Sequence, residues 1–256
     1  MLKKRLIACI LLQNGLVVQS IKFSKYHVMS RPKTAIEFFN KWDVDEIIFL
    51  DIDASKEKRG PPLDVISDAS KKCFVPLTVG GGIRCIGDVR AALKAGADKV
   101  CINKEALENE KFITEAAERF GKQCIVVSMD VKKKDKGAYE VFADSGTRPT
   151  GLDPVEWAKR VEELGAGEIF LNSINRDGSK EGYDLNLVKS VSESVGIPVI
   201  ACGGAGKMQD FVDGILKGKA SAVAAANIFQ YVEPVSYTHL RAHETSLHLV
   251  CRLLLE

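Results

Sequence analysis

The feature that most limits what this chain can fold into is a repeat of itself. Phe74-Val75-Pro76-Leu77-Thr78-Val79-Gly80-Gly81-Gly82 resembles Gly196-Ile197-Pro198-Val199-Ile200-Ala201-Cys202-Gly203-Gly204, with Pro76 and Pro198 standing 122 positions apart. Near the same offset, Leu50-Asp51-Ile52-Asp53 falls opposite Leu171-Asn172-Ser173-Ile174, and Ala97-Asp98-Lys99-Val100 opposite Ala220-Ser221-Ala222-Val223. Self-similarity at a fixed period marks duplicated structural units. Each unit alternates short β-branched runs with amphipathic stretches of helical length, the pattern of strands joined by crossover helices in a parallel sheet. Two four-stranded halves then close into one α/β chain of the (β/α)8 TIM barrel type, whose functional groups belong at the C-terminal ends of the strands.

The runs predict strands near 5–11, 46–51, 75–79, 98–102, 123–129, 167–172, 197–201 and 220–225, with helices over 33–42, 62–72, 86–95, 108–120, 153–164, 185–194 and 207–217. Asp153-Pro154 and Asp184 supply helix-start signals, and the Lys- and Gly-rich stretch 131–146 reads as a hairpin. A length of 256 residues that are 46% hydrophobic suits one such barrel. The formal net charge of +2 gives no electrostatic case for nucleic acid or an anionic membrane, so an anionic ligand needs a local site. Apolar runs such as Arg5 to Leu12 are too short to span a bilayer, and Lys3-Lys4-Arg5 lacks the long apolar region of a signal peptide, so a cytoplasmic location is expected. Seven scattered cysteines without a C-x-x-C pair argue against a disulfide framework or a zinc site, and most are expected to be buried thiols. No cofactor is called for.

The barrel is expected to occupy 1–234. From about Val235 the pattern breaks, where an eighth helix should begin. His239, His243 and His248 have near-helical spacing, but the segment 235–256 resembles translated adapter read-through, so no metal site is expected and the tail reads as a foreign replacement for that helix.

Val79-Gly80-Gly81-Gly82-Ile83 and Cys202-Gly203-Gly204-Ala205-Gly206 each follow a strand. Glycines there bring backbone N–H groups close to an oxyanion, and the next helix adds its positive end. Either turn alone is explained by steric need; two at matching positions predict a ligand with two phosphates. Asn103, and Asp177-Gly178-Ser179, lie beside these turns, as cradle residues or as plain loop caps. Asp130 ends a strand at the mouth, where burial would raise its pKa toward the range useful for proton transfer. In the repeat, Leu11 falls opposite Asp130, so one of two opposed acid-base groups is missing. Asp51 is the nearest substitute, with a positioning role as its competing reading. At the other end, Arg5, Glu46, Lys99 and Glu168 begin strands and are expected to form a salt-bridged gate over the axis or, more blandly, a solvated rim.

Together, Leu2-x-Lys4-Arg5-x-Ile7-Ala8-Cys9, Glu46-Ile-Ile-Phe-Leu-Asp51-Ile, Thr78-Val-Gly-Gly-Gly-Ile, Ala97-Asp-Lys-Val-x-Ile-Asn103, Gly165-Ala-Gly-Glu168, Asn175-Arg-Asp-Gly178 and Gly203-Gly-Ala-Gly-Lys207 resemble the cyclase subunit of imidazole glycerol phosphate synthase, from Met1 to about Phe229. The resemblance implies a class I glutaminase partner at the bottom face, forming a heterodimer, and ammonia passing through a gate of Arg5, Glu46, Lys99 and Glu168. It also implies a bisphosphorylated ribulosyl-formimino aminoimidazole carboxamide ribonucleotide cleaved and cyclised at the top. Asp130 matches one catalytic aspartate, and Gly82, Asn103, Asp177, Gly178 and Gly204 match parts of the phosphate sites. Leu11 stands where the other catalytic aspartate is expected, Gln19 where a loop lysine is, and Lys104 where a small hydroxyl residue is. Gln19-Ser20, Phe39-Asn40 and Trp42-Asp43-Val44-Asp45 look like the paralogous branch that serves acetamidino-sugar synthesis alongside a sugar amidotransferase. Three readings follow: a true cyclase, an ammonia conduit for amidino transfer, and an unrelated phosphate-binding isomerase that leaves the gate unexplained.

Overall fold

The computed structural model describes residues 4–39, 44–134, 137–226 and 228. Eight parallel strands form a closed ring: β1 (Arg5–Gln13), β2 (Glu46–Asp51), β3 (Leu77–Gly80), β4 (Lys99–Ile102), β5 (Ile125–Lys133), β6 (Glu168–Ser173), β7 (Val199–Cys202) and β8 (Ala222–Ala225). Closure comes from β8 beside β1, where Arg5 pairs with Ala222, and from β6 beside both β5 and β7. The helices are α1 (Pro32–Phe39), α2 (Leu63–Ser70), α3 (Ile86–Lys94), α4 (Lys104–Glu108), α5 (Lys111–Phe120), α6 (Pro154–Glu163), α7 (Leu185–Ser192) and α8 (Met208–Leu216). This is the (β/α)8 architecture the duplication predicted.

Successive side chains of a strand face opposite ways, so each strand feeds two cores. Outward residues such as Ala8, Ile10 and Leu12 pack with helix residues such as Ile36, Phe39 and Phe211. The lumen is filled separately by Ile7, Cys9, Ile48, Cys101, Val126, Phe170, Ile200, Cys202, Ala222 and Ala224. The duplication governs even close contacts. Gly81 has φ +96°, and a Cβ there would lie 2.1 Å from Asp51 O; Gly203 has φ +94°, with Ser173 O at 2.7 Å. Asp51 therefore corresponds to Ser173 and Leu50 to Asn172, which moves the sequence pairing of Leu50 with Leu171 by one residue. The closest approach of chain to chain thus restores the 122-position offset of Pro76 and Pro198.

Other departures are local. The strand expected at 75–79 begins at Leu77, and that expected at 123–129 runs to Lys133 because it continues into the hairpin with Tyr139–Ala143. The helix expected over 108–120 is α5, which starts at Lys111, and the short α4 before it was not expected. A hairpin, Leu16–Ile21 with Lys25–Ser30, follows β1 and escaped the sequence reading. Cys9, Cys101 and Cys202 are buried, but Cys73 and Cys124 are half-buried and Cys85 is exposed, against the expectation that most are buried. The segment 235–256, with His239, His243 and His248, lies outside the described residues.

The capping signals at 153 and 184 are realised. Asp153 accepts from the N–H groups of Val155 at 2.8 Å and Glu156 at 3.2 Å, and Asp184 from that of Leu187. Asp153→Ala should cost about 1 kcal/mol, read as a lower denaturant midpoint with an unchanged slope.

Candidate functional site

A cavity opens at the C-terminal ends of the strands, lined among others by Leu11, Leu50, Asn103, Asp130, Asn172 and Asp177, with Ser20, Phe23 and Tyr26 of the β1 hairpin over it. Its walls are chemically unequal. Leu11 pairs with Leu50 in the β1–β2 ladder, whereas Asp130 pairs with Asn172 in the β5–β6 ladder. At this level one half of the duplicated mouth is apolar and the other polar.

Asp130 is 7% exposed. Its Oδ1 accepts from Asn172 Nδ2 at 3.1 Å and its Oδ2 from Asn103 Nδ2 at 3.2 Å. Burial pushes its carboxyl up to about 6, while the Asn172 and Asn103 donors pull the other way and the Asp177 charge adds to the rise. Such a group exchanges a proton near neutral pH.

Asp177 is also raised by burial, against the bonds it accepts. Ser20 Oγ donates to its Oδ2 at 2.6 Å, the Phe23 N–H to the same oxygen at 3.3 Å, and the Lys22 N–H to its carbonyl at 3.0 Å. Gly178, with φ +68°, lets the hairpin approach, since a Cβ there would stand 2.7 Å from Ser20 O. These two residues fasten the hairpin across the mouth. Asp51 is fastened in turn: Arg59 grips it through Nη1 at 2.7 Å and Nη2 at 3.0 Å, and the N–H groups of Asp53 and Ala54 each donate at 3.1 Å. A carboxylate in a bidentate grip holds its loop more readily than it trades protons.

The two glycine turns are packed alike. Gly82 lies under Arg59 O and Gly204 under Gly182 O, so backbone proximity demands glycine in both halves. Where each next helix starts, a carboxylate already accepts main-chain N–H groups: Asp88 from Arg84 and Cys85, Asp210 from Gly206 and Lys207. Lys104 turns toward Asp144, its Nζ 3.0 Å from Oδ1, and Gln19 is buried in the hairpin.

At the opposite end of the lumen, Arg5 Nη1 lies 2.6 Å from Glu46 and 3.1 Å from Glu168, and Lys99 Nζ lies 3.0 Å and 3.1 Å from the same carboxylates. Each anion bridges both cations, so the four form one continuous ring across the axis. Thr78 Oγ1 adds a 2.6 Å bond to Glu46, which is 1% exposed. The expected gate residues are thus brought together and partly dehydrated.

The family profile described as histidine biosynthesis protein matches residues 5–233. A protein of Alkaliphilus metalliredigens (strain QYMF), named imidazole glycerol phosphate synthase subunit HisF, is 48% identical over 248 residues, spanning 97% of each chain. A protein of Clostridium botulinum (strain 657 / Type Ba4) with the same name is 48% identical over 234 residues, 91% of this chain and 92% of that one. A protein of Vibrio vulnificus (strain YJ016) carrying the subunit name hisF2 is 53% identical over 233 residues, 91% of this chain and 85% of that one. The chain belongs to the HisF family.

For this HisF-family chain the sequence named the acid-base candidate, the four ring residues and the glycine turns. It missed Asn172, Thr78, Arg59 and the hairpin residues Ser20 and Tyr26. Asn172 could have been found, because it is the last inward residue of β6 by the same alternation that singled out Asp130. Ser20 carried no such signal; its partner Asp177 is 157 positions away. Among the described residues no three His, Cys, Asp or Glu side chains are grouped to hold a metal, and no helix is long and apolar enough to cross a membrane.

Proposed function

We propose that this chain is the barrel subunit of a glutamine-dependent complex of the imidazole glycerol phosphate synthase type, acting in the cytoplasm on ammonia supplied by a class I glutaminase. The observation that carries this reading is the alignment of three parts on one axis: the charged ring, the lumen and the mouth cavity. Ammonia from the partner would enter at Arg5, Glu46, Lys99 and Glu168 and leave at the mouth. There Asp130 acts as general acid and base on a phosphorylated substrate held at the two glycine turns, beside Gly82 and Asn103 in one half and Asp177, Gly178 and Gly204 in the other. Asp51 keeps Arg59 and the loop after β2 in place. The test is association: adding the barrel to a class I glutaminase from the same genome should form a complex and raise glutamine hydrolysis. Neither complex nor stimulation would overturn the reading.

A second reading, delivery of ammonia to a sugar amidotransferase, is favoured by one observation. Leu11 and Leu50 make one wall of the mouth apolar where a two-carboxylate cyclisation needs an acid-base group. With free ammonia and the bisphosphorylated ribulosyl-formimino aminoimidazole carboxamide ribonucleotide, this chain is expected to turn over below about one per second. Leu11→Asp should raise that rate ~10²-fold or more if one missing proton carrier is the defect, the low end of what a positioned acid or base contributes. Fast turnover by the unaltered chain would exclude the second reading; no gain on Leu11→Asp would mean the rest of the pocket has diverged.

A further inference from the structure

The polar wall of the mouth contains an arrangement that neither the repeat nor the resemblance assigns. Asp130 carries an amide donor on each carboxylate oxygen: Asn172 on Oδ1 and Asn103 on Oδ2. The two amides are anchored differently. Asn103 Nδ2 also donates to Ser128 O at 3.1 Å, so both of its N–H bonds are spent and its orientation is locked. The Asn172 side chain has no such second anchor among the described residues; it bonds to Asp130 alone. It is 8% exposed and sits directly across the β5–β6 ladder from Asp130, so it cannot swing away.

Each N–H donor favours the ionised form against the pull of burial, because a carboxylic acid must turn one oxygen into a donor. Protonation at Oδ2 would set O–H against the locked Asn103 N–H. Protonation at Oδ1 needs only a half-turn of the Asn172 amide, which exchanges its N–H for its carbonyl and accepts the new O–H. We propose that Asn172 is a positioning residue that, opposite the locked Asn103, directs the exchangeable proton of Asp130 to Oδ1 by reversing its amide. On this account the side-chain donors of Asn103 serve Ser128 O and Asp130 rather than a phosphate group, and the single carboxylate left by Leu11 alternates between acid and base through one defined oxygen. The inference rests on the proposed acid-base role of Asp130, but its test needs neither a glutaminase nor turnover.

Two measurements on the full chain decide it. In a carbon-13 carboxyl titration, Asn172→Leu removes both the charge-assisted bond to the ionised form and the weaker neutral bond that the reversed amide gives the protonated form, so the Asp130 midpoint should rise by the difference, about half a unit or more. Asn172→Thr, which can restore a hydroxyl donor, should bring it back toward the original value. A folded Asn172→Leu protein with an unmoved or lowered midpoint overturns the proposal, and a purely structural residue would give that result. The second measurement uses the unaltered chain, so it stands even if the leucine variant does not fold. Neutron structures well below and well above the Asp130 midpoint should show the Asn172 amide reversed at low pH, with Asn103 unchanged. Asn172 donating at both pH values, or Asn103 turning instead, overturns it. If the clamp holds while the glutaminase test fails, the proton geometry stands and the ammonia reading falls.

Discussion

An Asp130→Asn variant is expected to be more stable than the parent chain above neutral pH while losing ammonia-dependent turnover by ~10²–10⁴-fold. The stability half follows from burial. The Asp130 carboxyl is raised from the ordinary 3.8 to about 6, so folding favours its protonated form. For such a group the contribution to stability is complete below about pH 4 and is lost as pH rises through about 6. The difference corresponds to about 3 kcal/mol, of which an amide substitution should recover about 2 kcal/mol at pH 8, because it must still satisfy Asn103 and Asn172. Asparagine mimics the protonated acid, so the variant and the parent should converge in stability below about pH 4. Denaturant unfolding at a series of pH values checks this. A variant less stable at every pH would mean that the site is not dominated by desolvation. The activity half is independent: retained turnover would remove Asp130 from the chemistry.

The second large effect lies at the other end of the lumen. Replacing Glu46 by leucine, close in volume but uncharged, leaves Arg5 and Lys99 to share Glu168 and strands the Thr78 hydroxyl. Breaking a buried ion-pair set by removing one member costs about 3–5 kcal/mol, because the remaining charges stay dehydrated without compensation. Arg5 and Lys99 retain 21% and 15% side-chain exposure, which places the expected loss at about 3 kcal/mol. Glu168→Leu should cost less, since Glu168 is 13% exposed and one of its oxygens, Oε2, is buried without a partner among the described residues. Urea midpoints with unchanged slopes would measure both losses. A Glu46→Leu loss below about 1 kcal/mol would show that the ring behaves as the solvated rim that strand-start charges usually are.

Much of the candidate site was legible because it obeys local rules. Asp130 was found as the polar end of an apolar strand, and Glu46 and Glu168, 122 positions apart, as charged starts of equivalent strands. The glycine turns were found as well, but the structure changes what they argue. The contacts of Gly81 with Asp51 O and of Gly203 with Ser173 O demand glycine on packing grounds in each half, so their symmetry follows from duplication even before any ligand. Asp51 shows the opposite limit. A carboxylate at a strand end reads the same on paper whether it moves protons or holds an arginine, and the bidentate grip of Arg59 is what favours the second.

Taken alone, the sequence determined the closed, duplicated barrel, the polarity of its two ends and the asymmetry of Leu11 against Asp130. Strand and helix periodicities, and a 122-residue self-match, are properties of neighbours along a chain, and they survive without coordinates. The tertiary structure decided which side chains act together: Asn103 and Asn172 on Asp130, Ser20 on Asp177, and two cations shared by two anions across the axis. Those pairings join residues 27 to 163 positions apart. Their geometry is set by barrel closure and strand register, which no local propensity encodes.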